Sequence, residues 1–521
     1  MALTPEYAAL LPLFILTGLG AIAPLLGAFR MRGGAIALLS ALGIVAAMVL
    51  TLGMVWEIPG LGFLPQAAPG GAPILSFTLL EMTPFVALFD LVFLAVALMV
   101  VLGSPRYMGP RHQGEYYSLV LLATVGMMVV AASRDLITLF IGIELSSLCS
   151  FALAGYFKNR LDSSEAAMKY FLIGSISAAL ALFGISMVYG LTGGTSFEHL
   201  ASLWDDPLRL EAGGTTTIGD QLLAGRFTMG VFIWALLLAG FGYKVAFVPF
   251  HNYAVDVYEG APSTVGGFLA AGSKQMGFAA LFKIFFLGLF AVKANWDVMV
   301  GILAIITMIV GNVVALQQTN IKRMLAYSSI AQAGYILMAL AIGTEYALTG
   351  GLFHIITYSF MKAGAFIALA AAATWGIGEE MTDWKGLARK APFLGFAMAV
   401  FMLSFAGIPP LAGFASKFVL FSSAIQAAAS AGALYATLFY ALAGVGILTS
   451  AISLVYYWRV IRVMYMEEGE GRRLTVTSAA GISVAIAVLA TILLGIFPAV
   501  AIDMAAEASR HVFASLATLA P

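Results

Sequence analysis

Apolar runs of about 20 residues, each long enough to cross a bilayer, recur along the whole chain and are separated by short polar joints. Fourteen such runs predict spans at 7–29, 35–56, 83–103, 115–132, 135–156, 164–191, 227–251, 263–290, 297–317, 322–343, 347–374, 391–425, 433–460 and 476–499. Two of them carry an internal break. In the seventh, an uncharged stretch from Phe232 to Phe241 leads into Lys244, Pro249 and His251. Proline removes a helix hydrogen bond and clashes with the turn before it, so a kink or break is expected close to the lysine. The twelfth run is too long for one straight span, and Gly407-Ile-Pro409-Pro410-Leu-Ala-Gly413 should interrupt it. The broken spans stand five apart, an odd offset that gives opposite orientation. The expectation is an all-α integral membrane protein with fourteen transmembrane helices. Two inverted five-helix repeats would comprise spans 4–8 and 9–13, with spans 7 and 12 broken, and paired interrupted helices of this kind mark transport sites. The implied division is 1–112 for the first three spans, 113–292 and 293–465 for the two repeats, and 466–521 for the last span and a short tail. The loops 57–82 and 192–226 are the only long ones, and neither is long enough to be a soluble domain.

Composition agrees with a membrane chain. Of 521 residues, 61% are hydrophobic and only 10% charged, against about 25% charged in soluble domains. Formal net charge is zero, so nothing suggests nucleic acid as a partner. The single cysteine, Cys149, excludes an intramolecular disulfide. The start, Met1 to Tyr7, lacks a basic region, so the first run reads as a retained span rather than a cleaved signal. Nucleotide, haem, iron–sulfur and zinc signatures are absent. Basic residues orient the chain. If "in" is the side of the joint between the first two spans, in-side loops hold fifteen of the 26 Lys and Arg, out-side loops five, and six lie inside spans. Both termini are then expected on the out side.

The charges inside spans are the candidate chemistry, because one charge at mid-membrane costs roughly 2.5–3.5 kcal/mol even on a lenient scale. Glu144 lies mid-span in the fifth run, either hydrogen-bonded to Ser146 or Ser147 or facing Lys244. Burial disfavours the charged form of carboxyl and amine alike, so such a pair can exchange a proton near neutrality. Lys169 stands one turn from Glu165, which allows a local ion pair, or it acts on Glu144 from the adjacent span. His251 follows the break between two buried lysines, and histidine titrates in the range a proton relay needs. Lys274 is about eleven residues from the start of its span, too deep to reach water easily, whereas Lys283, nearer the other end, either snorkels or serves the same chemistry. His354, Tyr358 and Lys362 form one polar stripe at i, i+4 and i+8. Lys417 follows the second break, as Lys244 stands beside the first. Asp256 and Glu259 are either solvated or cap the eighth span.

Several stretches together resemble a known family. Lys244-Val-Ala-Phe-Val-Pro-Phe-His251 with Asp256-Val-Tyr-Glu-Gly-Ala-Pro262 is similar to the core motif of the antiporter-like membrane subunits of respiratory complex I, in its N-type form. Glu165–Gly174, Gln318–Ala331 and Gly407–Phe418 match as well. Two positions depart: Tyr253-Ala-Val255-Asp256 stands where the family usually has Trp-x-Pro-Asp, and His354 and Lys362 look more like the L and M subunits or related antiporter and hydrogenase subunits. The resemblance implies a proton channel in which Glu144, Lys244, Lys274 and Lys417 transfer protons, supported by Lys169, His251, His354 and Lys362. It implies no cofactor in this chain, with redox groups and quinone in partner subunits. The partners would be the A, J, K and M types, and the surroundings a lipid bilayer. A cation/proton antiporter of the Mrp kind, or a hydrogenase subunit, is the alternative.

Overall fold

A computed structural model describes residues 8–29, 31–55, 75–109, 112–205, 207–209, 215–217, 227–469 and 478–519. Most of both long loops lies outside these ranges. The helices are α1 Leu11–Ala28, α2 Gly33–Val55, α3 Pro84–Gly103, α4 Gln113–Ala132, α5 Leu136–Ala154, α6 Leu161–Thr192, α7 Phe197–Asp205, α8 Phe227–Val245, α9 Asn252–Gly260, α10 Ser263–Phe268 and α11 Lys274–Phe282. They continue as α12 Asp297–Ala315, α13 Ile321–Ile342, α14 Glu345–Ala373, α15 Pro392–Ala406, α16 Ala412–Ser430, α17 Ala433–Met466, α18 Ser478–Ile496 and α19 Ala499–Leu519. Two small antiparallel pairs, Leu75–Ser76 with Glu81–Met82 and Pro207–Arg209 with Thr215–Thr217, lie in the loops.

Helix starts follow local chemistry. Thr83 accepts the Val86 amide at 3.2 Å ahead of Pro84, Asp135 accepts Ile137 and Thr138 at 2.8 and 2.9 Å, and Asn320 accepts Arg323 at 3.2 Å. Each satisfies amides that a helix N-terminus leaves unpaired.

Among the described residues, eleven helices are long and apolar enough to cross a membrane. The other three expected runs, 227–251, 263–290 and 391–425, are interrupted. In the first, Ala246 takes a left-handed conformation (φ 55°) directly after α8, and α9 begins only at Asn252. The Val248 amide freed by the break finds Thr307 of α12 at 3.1 Å. In the third, α15 ends at Gly407, whose φ of 87° suits a residue without a Cβ, and α16 resumes at Ala412. The middle run is a helical rod in which α10 and α11 are joined by a π turn, Leu269–Ser273, and a second π turn, Lys283–Gly288, follows. Such turns often occur at functional sites.

Layering decides which polar groups meet protein. In α13 and α14, 94% of the apolar window is buried, against 28% in α1 and 33% in α6. The two innermost helices therefore present their polar side chains to other helices. One expectation needs correcting: the segment after 499 is not a short tail but helix α19. Asp503, Glu507, Arg510 and His511 interrupt its apolar run, yet Ala501, Ala505, Ala508 and Val512 make a buried stripe, and α19 packs on α14 and α3.

Candidate proton-transfer axis

Lys244 occupies the last turn of α8, 4% exposed. Its ammonium donates to the Tyr170 hydroxyl at 3.3 Å and lies 5.1 to 5.6 Å from the ring centres of Tyr170, Phe151 and Tyr243. Aromatic faces attract a cation without supplying a counter-charge. Glu144 of α5 is half-buried and lines the same narrow crevice as Lys244, Ser147 and Ser177. It is within electrostatic reach of Lys244 but forms no ion pair with it. Ser147 bonds the Ile143 carbonyl instead of Glu144.

The next lysine is held by close packing. A Cβ added at Gly277 would stand 2.9 Å from Lys244 Cβ and from Val245 Cγ2, so α11 approaches α8 this closely only with glycine there. One turn earlier Lys274, 1% exposed, donates to the Ser329 carbonyl at 3.0 Å. It begins α11 at the end of the first π turn, so a shifted helical register aims it at α13. His251 stands just before α9, with Nδ1 buried and unpartnered within the protein, and it senses the charge of Lys274.

Helix α13 then supplies a ladder of Leu325, Ser328, Ser329 and Gln332, facing the His354–Tyr358–Lys362 stripe of α14. Lys362 donates to the Leu325 carbonyl at 2.9 Å and to Ser328 at 2.8 Å. The Tyr358 and Ser329 hydroxyls are 2.6 Å apart. The His354 ring joins Gln332 and Ser416, each at 2.9 Å. Lys417, next to Ser416, donates to the Phe405 carbonyl at 2.7 Å and to Ser450 at 2.8 Å, with Tyr335 beneath it at 5.0 Å. Phe405 lies in the last turn of α15, so the break exposes a helix C-terminal carbonyl, the end that favours a cation.

Lys169 sits elsewhere. Its side chain is 40% exposed and bonds Glu165 at 2.8 Å and Asp256 at 2.6 Å. Asp256 and Glu259 do not cap the following helix. They lie within α9 and pair with Lys169 and Arg323, because that short helix turns both carboxylates toward the basic residues of α6 and α13. Together they line a cavity of about 490 Å³ at one end of the bundle. Lys283 does not snorkel: its side chain is 1% exposed and bonds Glu81 at 2.7 Å. Sequence reasoning missed the hydroxyls and amides between the lysines, Tyr170, Ser329, Gln332 and Ser416. The spacing of Ser328, Ser329 and Gln332 in an otherwise apolar span was the available signal. It also missed Asp90, a carboxylate inside the apolar run of α3.

A multi-pass helical bundle with interrupted helices and a row of buried lysines belongs to the class of membrane ion carriers. The chain is a member of the NADH:quinone oxidoreductase/Mrp antiporter transmembrane family, whose model matches residues 133–459. It is 43% identical over 519 residues to F(420)H(2) dehydrogenase subunit N of Methanosarcina mazei, covering 97% of this chain and 98% of that protein. It is 40% identical over 460 residues to NADH-quinone oxidoreductase subunit N of Trichlorobacter lovleyi, covering 87% and 89%. A chain of respiratory complex I from Thermus thermophilus superposes with a TM-score of 0.74 at 30% identity, covering 95% of this chain and 99% of that one.

Proposed function

We propose that this chain is an N-type, proton-translocating membrane subunit of a redox-driven complex of the NADH:quinone oxidoreductase kind. The observation that carries the reading is the row of four buried lysines, Lys244, Lys274, Lys362 and Lys417, each bonded to hydroxyls or backbone carbonyls rather than to counter-ions, with hydroxyls, a histidine and an amide between the last three. A single half-buried carboxylate cannot neutralise four ammonium groups. In a medium of low dielectric, protonating one lysine disfavours protonation of the next, so a proton entering at one end displaces one further on. At an effective dielectric near 20, two charges about 10 Å apart interact by roughly 1.7 kcal/mol, or more than tenfold in occupancy. Glu144 stabilises the protonated form of Lys244. His251 links that pair to Lys274, and Lys417 ends the row. Asp256, Glu259, Lys169 and Arg323 form the charged mouth on the in side.

The chain spans the membrane fourteen times, as two inverted repeats in 113–292 and 293–465 flanked by 1–112 and 466–521. Lys244 and Lys417 stand at equivalent breaks in the two repeats. It resides in a prokaryotic plasma membrane with both termini outside. Redox cofactors and quinone belong to partner subunits, and subunits of the A, J, K and M types lie alongside. The exposed Ile141 and Leu148 that flank Glu144 on α5 suit cover by such a neighbour. Cation exchange by this chain alone is disfavoured, because a sodium site wants several oxygen ligands and the deep charges are lysines. Replacing Lys244 by Ala in the assembled complex abolishes proton uptake into vesicles driven by electron transfer. Unchanged pumping in that variant sinks the assignment.

A further inference from the structure

The row of lysines leaves out a second group of buried charges near the opposite end of α3. Asp90 of α3 is 1% exposed, and its Oδ1 has no hydrogen-bond partner within the protein. Gln275, the residue after Lys274, is fully buried with neither Oε1 nor Nε2 partnered within the protein. A buried amide and carboxylate without partners cost free energy unless something polar reaches them.

Their placement lines them up. Tyr107, just past the end of α3, accepts the Ser263 amide at 3.0 Å, a Cβ on Gly272 would meet Val96 at 3.4 Å, and Glu81, just before α3, meets Lys283 at 2.7 Å, so α3 runs antiparallel to the α10–α11 rod. Asp90, between Val96 and Glu81 in the chain, therefore lies along the rod between Gly272 and Lys283, the stretch that holds Gln275. Lys283 and Asp90 interact electrostatically. Lys283 itself donates to Glu81 at 2.7 Å and to the Ser133 carbonyl at 2.6 Å. It lines a cavity of about 510 Å³ together with Glu81, Arg134, Glu198 and His511. Glu198, 67% exposed and paired with Arg134 at 2.9 Å, brings that cavity to the surface.

We propose that Gln275, Asp90, Lys283 and Glu81 form a proton branch from the central row to this cavity on the basic-poor side, a half-channel within the first half of the chain. Gln275 orders the hydrogen-bonded link from Lys274. The Lys283 ammonium first passes its proton to Glu81 and the cavity, and the amine so formed takes the proton of the Asp90 carboxyl through one intervening water. Each hop breaks one N–H or O–H bond and forms another, with no change of oxidation state. Asp90, left as a carboxylate, accepts the next proton from the row.

The branch rests on the proton-transfer reading above, and the test separates the two. The complex carrying Asp90→Asn, reconstituted in proteoliposomes, should retain electron transfer while pumping falls at least tenfold. The dependence of proton release on the pH of the cavity side should flatten. Asp90→Glu should restore both. If Asp90→Asn fails to assemble, Gln275→Leu, which changes no charge, should slow pumping in the same way. Wild-type pumping and an unaltered pH profile in the assembled variant overturn the branch. If Lys244→Ala still abolishes pumping in the same preparation, only the branch is lost and the function stands.

Discussion

Lys417 offers the sharpest test of whether these lysines relay protons or merely hold helices together. Its ammonium makes two short hydrogen bonds, to the Phe405 carbonyl at 2.7 Å and to Ser450 at 2.8 Å. Bonds to a charged donor contribute about 1.5–3 kcal/mol each, so the protonated state there is held by roughly 3–6 kcal/mol from those two groups. Moving one proton against 100 mV costs about 2.3 kcal/mol. In Lys417→Met the resting place is lost, and at 1.36 kcal/mol per tenfold transit slows by about 10²–10⁴. The deficit exceeds the cost of that gradient, so pumping against an imposed potential should stop while redox turnover continues. Lys417→Arg separates the two roles. Arginine keeps the charge and can reach the same acceptors but does not release its proton at any working pH. A structural cation would be rescued by Arg, whereas a relay is blocked as fully as by Met. The assay is proton uptake into proteoliposomes, read with a pH-sensitive dye, with and without a potassium diffusion potential. Normal pumping in Lys417→Arg against the potential refutes the relay.

Two further outcomes follow from the geometry. Gly277→Ala puts a methyl 2.9 Å from Lys244 Cβ; overpacking of this kind costs about 1–3 kcal/mol, so the complex should melt at lower temperature and pump more slowly, and an unchanged melting curve contradicts the packing account. Asp256→Asn removes partners of Lys169 and Arg323 that are about a third exposed; such pairs contribute roughly 0–1 kcal/mol, so assembly should survive and proton uptake fall only a few-fold at low salt, an effect that about 0.1 M salt should largely screen, whereas a loss beyond tenfold at every ionic strength would show the mouth to be structural.

What the sequence displayed and what it hid divide along a physical line. A lysine within an apolar run is conspicuous because the membrane penalises it, so Lys244, Lys274, Lys362 and Lys417 announced themselves, as did the prolines at 249 and 409–410 that interrupt their helices. Serine, threonine and tyrosine carry no such penalty in a helix, where a hydroxyl can return its proton to a carbonyl one turn back, as Ser147 does to Ile143 at 2.6 Å. Ser329 and Ser416 are therefore indistinguishable by composition from hydroxyls that only close on their own helix. What makes them links is the partner opposite, Tyr358 for one and His354 for the other, and both pairings span too much sequence for any local pattern to reveal. Lys283 shows the converse: it stands out in sequence, yet it is answered by Glu81 from a distant segment, whereas Lys169 pairs with Glu165 one turn away, as its spacing allowed, as well as with distant Asp256. For a deeply buried cation such as Lys283, membership of the central row or of an ion pair is thus decided by its tertiary neighbours. Asp90 was a stronger signal within reach, since a carboxylate in an apolar span carries a penalty of the same kind as a lysine; weighing acids as heavily as bases exposes the second group of charges from the sequence itself.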